Sequence, residues 1–348
     1  MLSSDRPRIL INRLSALGDC VLTLPVLCAL RKHYPKAEIS WITQPLQAEV
    51  LQGHPDLDHL IVVEKGWLKS PRQMLQTRRQ LRSHRFDLSI DVQGLTKSGM
   101  ASWLSGAKQR ISFTRGQARE LAPTLANCWV KPTRVYIAAK YLELLKPLGI
   151  ETGQLEYRLP EDYEAAEVVA AWLEQAEIGV NYCVMNPGAG WFSKTWDSHR
   201  FAEVARHLYA CYGFQSVVTW GSEQEKTWAE EIAQHSGGAA VVCNWFSIGQ
   251  LKELIRHASL FVGNDTGPLH FAVALDTPTV SLFGVTKAEC YSPCNAMHRT
   301  VQAEYHPLSS RDRRKANNQV MLKNTVDMVV EQIDELLDQP TYVQKEAA

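Results

Sequence analysis

Short apolar runs alternate with stretches of helical periodicity along most of the chain. The runs are rich in Val, Ile and Leu, a composition typical of strands that are covered on both faces of a parallel sheet. Apolar residues between the runs recur at helical spacing, as in 21–33, 163–177 and 198–212. The predicted strands are 9–11, 39–42, 60–63, 88–92 and 111–113 in the first half, and 182–185, 216–220, 239–243, 260–262 and 279–283 in the second half. This alternation predicts an α/β protein with doubly wound parallel sheets.

The pattern is interrupted near the middle of the chain. Residues 150–180 include a polar extended stretch with Pro160, and the strand–helix alternation then starts again. A chain of 348 residues with 45% hydrophobic residues is long and apolar enough for two domains. We therefore predict an N-terminal Rossmann-like domain over 1–160, a C-terminal Rossmann-like domain over 178–325, and a terminal helix and tail over 326–348.

Composition excludes several classes of protein. Lys+Arg and Asp+Glu both number 37, so there is no overall attraction to nucleic acid. The eight cysteines lie mostly in apolar runs, as expected for reduced thiols in the cytoplasm. We expect no signal peptide, and no run reaches the roughly 18–20 apolar residues of a transmembrane helix. The spacing of Cys290, Cys294, His298 and His306 departs from zinc-finger patterns, so no metal is predicted there.

Residues 259–270 form a predicted strand, turn and helix start. Thr266 is expected to cap the helix, and Pro268 suits its first turn because proline lacks the N–H that would be unpaired there. The exposed amides of a helix N-terminus bind anions, so a pyrophosphate fits this position. Asp265 is then available to sugar hydroxyls. The local alternative is an ordinary turn in which Asp265 caps the helix and His270 is a packed core histidine.

Three further loops carry polar groups at the carboxyl ends of predicted strands, where open α/β sheets bind ligands. Asp19 follows the first strand and is either an active-site base or a helix cap. Residues 91–98 form a second strand–loop–helix element at the same edge. Lys194 lies just beyond a glycine turn, where it is either a surface lysine or a counter-charge for phosphate. A G-x-G-x-x-G pattern is absent, which disfavours nicotinamide and flavin cofactors.

A basic stretch over 65–85 is either a solvated helix face or a surface for an anionic acceptor. The sequence also resembles glycosyltransferase family 9, the bacterial ADP-heptose:lipopolysaccharide heptosyltransferases. The motifs that carry the resemblance are R-L-S-A-L-G-D at 13–19, D-V-Q-G-L-T-K-S at 91–98, N-P-G-A-G at 186–190 with S-K-T-W at 193–196, and G-N-D-T-G-P-L-H at 263–270. The stretch 91–98 looks most like the heptosyltransferase I branch. The resemblance implies a GT-B fold, with two Rossmann-like domains facing a central cleft and a terminal helix that can pack back on the first domain.

The resemblance further implies an inverting, metal-independent transfer of heptose from ADP-heptose to a Kdo acceptor of the lipopolysaccharide inner core. Asp19 matches the general base, and Lys194 matches a catalytic group on the donor phosphates. The implied donor-binding residues are Ser15, Gly188, Lys194, Glu225, Phe246, Asp265, Thr266, Gly267 and His270. The implied acceptor-binding residues are Gln93, Lys97 and Arg119. No cofactor is expected, and the lipid A/Kdo acceptor would be met at the cytoplasmic face of the inner membrane.

Two other classes of function remain open at this stage. One is a GT-B enzyme that uses another nucleotide sugar, or an epimerase of similar architecture. The other is a non-catalytic module that binds sugars or nucleotides. The first differs from a heptosyltransferase in its preferred nucleotide, and the second in lacking turnover.

Overall fold

The computed structural model describes residues 5–293 and 295–339, and the chain divides into two compact units between Pro160 and Glu161. Unit 1 ends at the residue where the predicted first domain ends. Unit 2 begins earlier than the predicted 178, because the helix Tyr163–Gln175 packs on the helix Ile248–Arg256 of the same unit. The segment assigned to a link thus contributes a helix to the second domain.

Unit 1 is built on a parallel six-stranded sheet. Its strands are β1 (Arg8–Asn12), β2 (Glu38–Thr43), β3 (His59–Val62), β4 (Leu88–Asp91), β5 (Gln109–Phe113) and β6 (Cys128–Val130). They lie in the order β3-β2-β1-β4-β5-β6, in which Ile9 of β1 stands between Ile39 of β2 and Leu88 of β4. All three residues are fully buried, as expected for central strands covered on both faces. This is the Rossmann strand order, which reverses between β1 and β4.

The helices of unit 1 connect these strands. They are α1 (Leu17–Val21), α2 (Leu24–His33), α3 (Pro45–Leu51), α4 (Pro71–Ser83), α5 (Thr96–Ser105), α6 (Ala122–Leu125) and α7 (Ile137–Leu142), with 3-10 turns at Trp67–Lys69 and Glu143–Leu148. The single helix predicted over 21–33 is wrong at its start. Pro25, near the start of α2, has no N–H to continue a helix, and the chain therefore begins a new helix after Thr23.

Unit 2 is also built on a parallel six-stranded sheet. Its strands are β7 (Tyr182–Asn186), β8 (Gln215–Val218), β9 (Ala240–Val242), β10 (Leu260–Asn264), β11 (Thr279–Leu282) and β12 (His298–Val301). All pairs are parallel, and the order is β12-β11-β10-β7-β8-β9. Counted from β7, this is the same Rossmann order as in unit 1, and it reverses between β7 and β10. The predicted α/β class with two doubly wound sheets is confirmed.

The helices of unit 2 are α8 (Tyr163–Gln175), α9 (Ser198–Tyr212), α10 (Glu223–His235), α11 (Ile248–Arg256), α12 (Gly267–Ala274), α13 (Ala288–Tyr291), α14 (Ser310–Arg313) and α15 (Val326–Leu337), with 3-10 turns at Phe192–Lys194 and Met321–Lys323. The apolar face of α15, including Val329 and Ile333, is buried in the core of unit 2 and packs on α9 and β12. This helix therefore belongs to the second unit.

The edge strands β6 and β12 were not predicted. β6 is an apolar run of only three residues, and β12 begins with the polar residues His298, Arg299 and Thr300. Among the residues that the structure describes, no helix has both the length and the apolar character needed to cross a bilayer.

Candidate active site

Except for Arg119, which follows β5, the site residues of unit 1 follow the two strands between which its strand order reverses. Asp19 lies in α1, just after β1, and its Oδ2 accepts a hydrogen bond from the backbone N–H of Ala16 at 3.3 Å. The same oxygen lies 2.5 Å from Nη2 of Arg13. Asp19 therefore does cap the start of α1, as the local interpretation predicts. About a third of the side chain (31%) nevertheless remains exposed, so the carboxylate can also meet a ligand.

Arg13 was not singled out from the sequence, yet it organises this loop. Its guanidinium is buried, lies over the ring of Tyr141 at 5.1 Å, and donates to the carbonyl of Val92 at 3.4 Å. Burial by itself would lower the pKa of Arg13, but the adjacent Asp19 carboxylate outweighs it and the pKa is raised. The arginine is therefore a fixed positive charge. It holds Asp19 in place, while the Tyr141 hydroxyl donates to Oδ1 of Asp19 at 3.4 Å.

Three predicted residues of unit 1 form one hydrogen-bonded group. The Ser15 hydroxyl accepts from Nζ of Lys97 at 2.6 Å and from Nε2 of Gln93 at 3.1 Å, while Oε1 of Gln93 accepts from the N–H of Leu14 at 3.1 Å. Burial, followed by the charge of Arg13, lowers the pKa of Lys97. Ser15 was expected on the donor side, and the structure groups it with the two residues expected on the acceptor side.

Asp91 and Arg119 support the loop after β4 in different ways. Oδ1 of Asp91, at the end of the strand, accepts from the N–H groups of Gln93 at 3.1 Å and Gly94 at 2.9 Å. Burial raises the pKa of Asp91 to about 6, against the lowering effect of those hydrogen bonds. Arg119 is exposed, and its backbone N–H donates to the Gly94 carbonyl at 2.8 Å. The Arg119 side chain thus starts from a backbone position that is tied to the loop.

In unit 2, an ion pair lies after the two strands between which the strand order reverses. Nζ of Lys194, after β7, lies 2.6 Å from Oδ2 of Asp265, after β10, and 3.3 Å from the Asp265 carbonyl. The Thr286 hydroxyl donates to the same Oδ2 at 2.7 Å, and Nε2 of His270 lies 3.9 Å from Oδ1. Burial would raise the pKa of Asp265, but Lys194 and His270 outweigh it and hold the pKa below its ordinary value. Asp265 is therefore an ionised, buried group, and His270 is buried beside it.

Helix α12 begins directly beside this pair. Thr266 occupies the N-cap position, but its hydroxyl donates to Oδ1 of Asn186 at 3.0 Å and makes no capping hydrogen bond. The predicted position of Thr266 at the helix N-terminus is confirmed, but its side chain makes no capping hydrogen bond because Asn186 on the neighbouring strand accepts from its hydroxyl. Gly267 and Pro268 open the helix, whose first amides have no intrahelical partner. This arrangement suits an anion.

Glu225 and Gly188 are packed against each other. Oε2 of Glu225 accepts from the N–H of Gly221 at 2.8 Å. A Cβ added to Gly188 would lie only 2.5 Å from Oε1 of Glu225, so only glycine allows this approach. Burial raises the pKa of Glu225, against the lowering effect of the backbone N–H groups of Gly221 and Ala189.

Phe246, after β9, is half-buried and meets Trp172 of α8 edge-on, with ring centroids 5.4 Å apart. A second aromatic pair lies in the same part of unit 2, formed by Trp220 and the exposed Trp245 at 5.2 Å. These tryptophans were not predicted as site residues, although an indole next to a predicted ligand loop is a signal for base stacking.

Three groups of side chains in the described residues have possible metal-ligand atoms within 4.8 Å of one another, and none includes a predicted site residue. They are Cys28 with His54 and Asp56, Glu38 with His59 and His84, and Glu161 with Glu253 and His257. In each, a carboxylate pairs with an arginine: Asp56 with Arg158 at 3.2 Å, Glu38 with Arg8 at 3.6 Å and Glu253 with Arg256 at 2.7 Å. We interpret them as ion-pair clusters. Of the four residues tested for zinc in the sequence, Cys294 lies outside the described residues, while His298 contacts Thr279 and His306 pairs with Glu304.

Two doubly wound units, each with polar loops after its parallel strands, define an α/β protein of the Rossmann-like type. A family model for glycosyltransferase family 9 (heptosyltransferase) matches residues 74–321. The chain belongs to this family and is therefore a glycosyltransferase.

Curated relatives agree with the family assignment. The chain is 26% identical over 340 residues to lipopolysaccharide heptosyltransferase 3 of Escherichia coli, covering 93% of this chain and 97% of the relative. It is 30% identical over 286 residues to lipopolysaccharide heptosyltransferase 1 of Pseudomonas aeruginosa, covering 80% and 79%. A lipooligosaccharide heptosyltransferase 2 of Campylobacter jejuni also matches, at 24% identity. Since relatives with all three numbers match, the chain is not assigned specifically to the heptosyltransferase I branch.

Solved structures agree in fold. A glycosyl transferase family 9 structure from Veillonella parvula superposes with a TM-score of 0.83 at 21% identity, covering 96% of this chain and 98% of that chain. A structure of Escherichia coli heptosyltransferase WaaC with ADP superposes with a TM-score of 0.72 at 22% identity, covering 95% and 97%. Together with the two Rossmann-like sheets, this likeness confirms the predicted GT-B class.

Proposed function

We propose that this chain transfers heptose from ADP-heptose to a Kdo-containing acceptor of the lipopolysaccharide core, with inversion at the anomeric carbon. The observation that carries the proposal is the Lys194–Asp265 pair at the start of α12, because it joins a cation, a buried carboxylate and helix amides at one ligand edge. The names of the relatives support heptose as the sugar and lipopolysaccharide as the acceptor class. A structure of one relative with ADP supports the adenine nucleotide.

The donor is bound by unit 2 in this proposal. The diphosphate lies at the first amides of α12 and near Nζ of Lys194, and Asp265 accepts hydrogen bonds from the heptose hydroxyls. Glu225, held beside Gly188, accepts from the ribose hydroxyls, and Phe246 lies close to the adenine. A nucleoside diphosphate suits this position, since helix amides and an ammonium both favour a polyanion.

The acceptor is bound by unit 1. Lys97 and Arg119 provide positive charge for the carboxylate of Kdo or for core phosphates, and Gln93 orients the Ser15 hydroxyl toward the same ligand. Asp19, exposed on one side and held by Arg13 on the other, accepts the proton from the attacking hydroxyl. A base positioned in this way typically accelerates a reaction about 10²–10⁴-fold.

The transfer itself is a single displacement. The acceptor oxygen forms a bond to the anomeric carbon while the bond from that carbon to the β-phosphate oxygen breaks. The proton moves to Asp19, and ADP leaves with the electron pair of the broken bond. Because ADP gains negative charge as it leaves, cations and amides placed at its phosphates before the reaction stabilise the transition state. We propose no metal ion and no cofactor for this step, and we place the reaction at the cytoplasmic surface of the membrane that carries the acceptor.

The test is a panel of donors and acceptors with mass-spectrometric analysis of the products, in buffer with EDTA and again with Mg²⁺. The expected result is an acceptor extended by one heptosyl residue with ADP-heptose in both buffers. Calorimetry with ADP, UDP, GDP and CMP should show the strongest binding for ADP. Preferred binding of UDP, or conversion of a nucleotide sugar without transfer, would favour the alternative of another sugar nucleotide or an epimerase.

A further inference from the structure

A basic turn that the proposed reaction leaves unused lies beside the donor position of unit 2. It consists of α14 and the two residues after it, and four of its positions are cationic: Arg311, Arg313, Arg314 and Lys315. The turn is fastened to the loop that carries Lys194. The Ser193 hydroxyl donates to the carbonyl of Arg313 at 2.6 Å, and Nδ2 of Asn318 donates to the carbonyl of Thr195 at 3.2 Å.

Arg314 is the member of this turn that faces the donor loop. Its Cζ lies 5.5 Å from the ring centroid of Trp191, and Nζ of Lys194 lies 5.0 Å from the same centroid. One indole therefore holds two cations, because the negative face of the ring attracts both. Since Trp191, Ser193 and Lys194 belong to one short loop, the Arg314 guanidinium has a defined place relative to the ammonium of Lys194.

The charge balance at the donor site indicates a role for a second cation. The Lys194 ammonium is already matched by the Asp265 carboxylate at 2.6 Å, so the pair is close to neutral as a whole. A departing nucleoside diphosphate gains negative charge that this pair and the helix amides must share. Arg314 is exposed, and no carboxylate in the described ranges forms an ion pair with it. Its charge is therefore available to a ligand.

We propose that Arg314 is a second phosphate-binding cation for the donor, which acts beside Lys194 on the diphosphate. This inference rests on the proposed function and deepens it. A guanidinium suits the role because its planar fork can donate two parallel hydrogen bonds to a phosphate, which an ammonium cannot. Trp191 positions it, so the indole and the arginine work as one unit.

The test compares Arg314→Gln with Arg314→Lys and with a matched control, Arg311→Gln, which removes the same charge from an exposed position of the same turn. Calorimetry measures the affinity for ADP and for adenosine, and kinetics with ADP-heptose separate kcat from the donor KM. We expect Arg314→Gln to weaken ADP binding and to lower kcat, each by about 10–100-fold, as for the loss of one charged donor at a phosphate. Adenosine binding should be unchanged, and Arg314→Lys should recover part of both losses.

Two further results are decisive for the inference. Trp191→Leu, which retains both cations but removes the ring that holds them, should lose ADP affinity in the same direction as Arg314→Gln. The inference is overturned if Arg314→Gln binds ADP and turns over like Arg311→Gln, or if it changes only the KM of the acceptor. Failure of the proposed function is a separate result, because absent heptose transfer by the wild type leaves the ADP and adenosine affinities as an independent measure of Arg314.

Discussion

The pair formed by Lys194 and Asp265 makes a prediction that separates a structural role from a catalytic role. Replacing Lys194 with Met removes the ammonium 2.6 Å from a carboxylate whose side chain is only 4% exposed. Asp265 would then retain the Thr286 hydroxyl at 2.7 Å and His270 at 3.9 Å. Transfer should also fail, since the group proposed to act on the leaving diphosphate is gone.

The magnitude follows from the environment of the carboxylate. Removing one partner of a buried ion pair costs about 3–5 kcal/mol, because an uncompensated charge stays behind. Thr286 and His270 remain to compensate part of that charge, so we expect Lys194→Met to lower the free energy of unfolding by roughly 2–4 kcal/mol at pH 7. The pKa of Asp265 is lowered in the wild type, so its stabilising contribution is present above the ordinary carboxyl pKa and is lost as the pH falls through the lower, folded value. The difference between wild type and variant should therefore shrink only once the pH falls below the ordinary carboxyl pKa of about 4.

The assay is urea unfolding of wild type, Lys194→Met, Asp265→Asn and the double variant, with heptose transfer measured on the same preparations. The double variant has no buried charge left unpaired, so its stability should return to within about 1 kcal/mol of the wild type. Its transfer rate should stay about 10²-fold or more below the wild type. An unchanged stability of Lys194→Met would contradict the coupling of the pair, and transfer by the double variant at the wild-type rate would refute the role on the diphosphate.

Two other substitutions test the neighbouring groups. Gly188→Ala places a Cβ 2.5 Å from Oε1 of Glu225 and should displace that flexible carboxylate at little cost in stability. ADP binding measured by calorimetry should weaken, and unaltered ADP affinity would remove Glu225 from the nucleotide site. Asp91→Asn should leave a residue that still accepts the two loop N–H groups but carries no buried charge. Because burial raises the pKa of Asp91 to about 6, the wild type loses stability as the pH rises from the ordinary carboxyl value through 6, and the variant does not. Urea unfolding should therefore show a free energy of unfolding for Asp91→Asn that exceeds that of the wild type by on the order of 2–3 kcal/mol at pH 8 and by much less at pH 4.5. If the two proteins have the same pH dependence of stability, the raised pKa of Asp91 is contradicted.

The order of strands and helices was largely predictable, because central parallel strands are continuous apolar runs. β10 is such a strand, with Leu260, Phe261 and Val262 fully buried. The edge strands β6 and β12 were not predictable in this way, although the edge strands β3 and β9 were predicted. Trp129 of β6 is mostly exposed, and β12 begins with the polar sequence His298-Arg299-Thr300, so neither shows the pattern of a buried strand.

The loops that carry the site were also predictable, since they follow strand ends and turn residues mark them. The partners inside the site were not. Arg13 reaches Asp19 only because α1 begins directly after β1, and Thr286 reaches Asp265 from the loop after the next strand. Thr266 has the sequence of a helix cap, yet its hydroxyl is taken by Asn186 from another strand. The contacts of Thr286 and Thr266 depend on which strands become neighbours, and local sequence does not contain that information.

The central claim is that a carboxylate of unit 1 deprotonates the acceptor while groups of unit 2 hold the leaving ADP. The most direct measurement is a single-turnover reaction of wild type and Asp19→Asn with ADP-heptose and a Kdo-containing acceptor, followed by mass spectrometry of the acceptor and calorimetry with ADP. The account predicts that the wild type adds one heptosyl residue, and that Asp19→Asn adds none while it binds ADP with wild-type affinity. Heptose transfer by Asp19→Asn at the wild-type rate would contradict it.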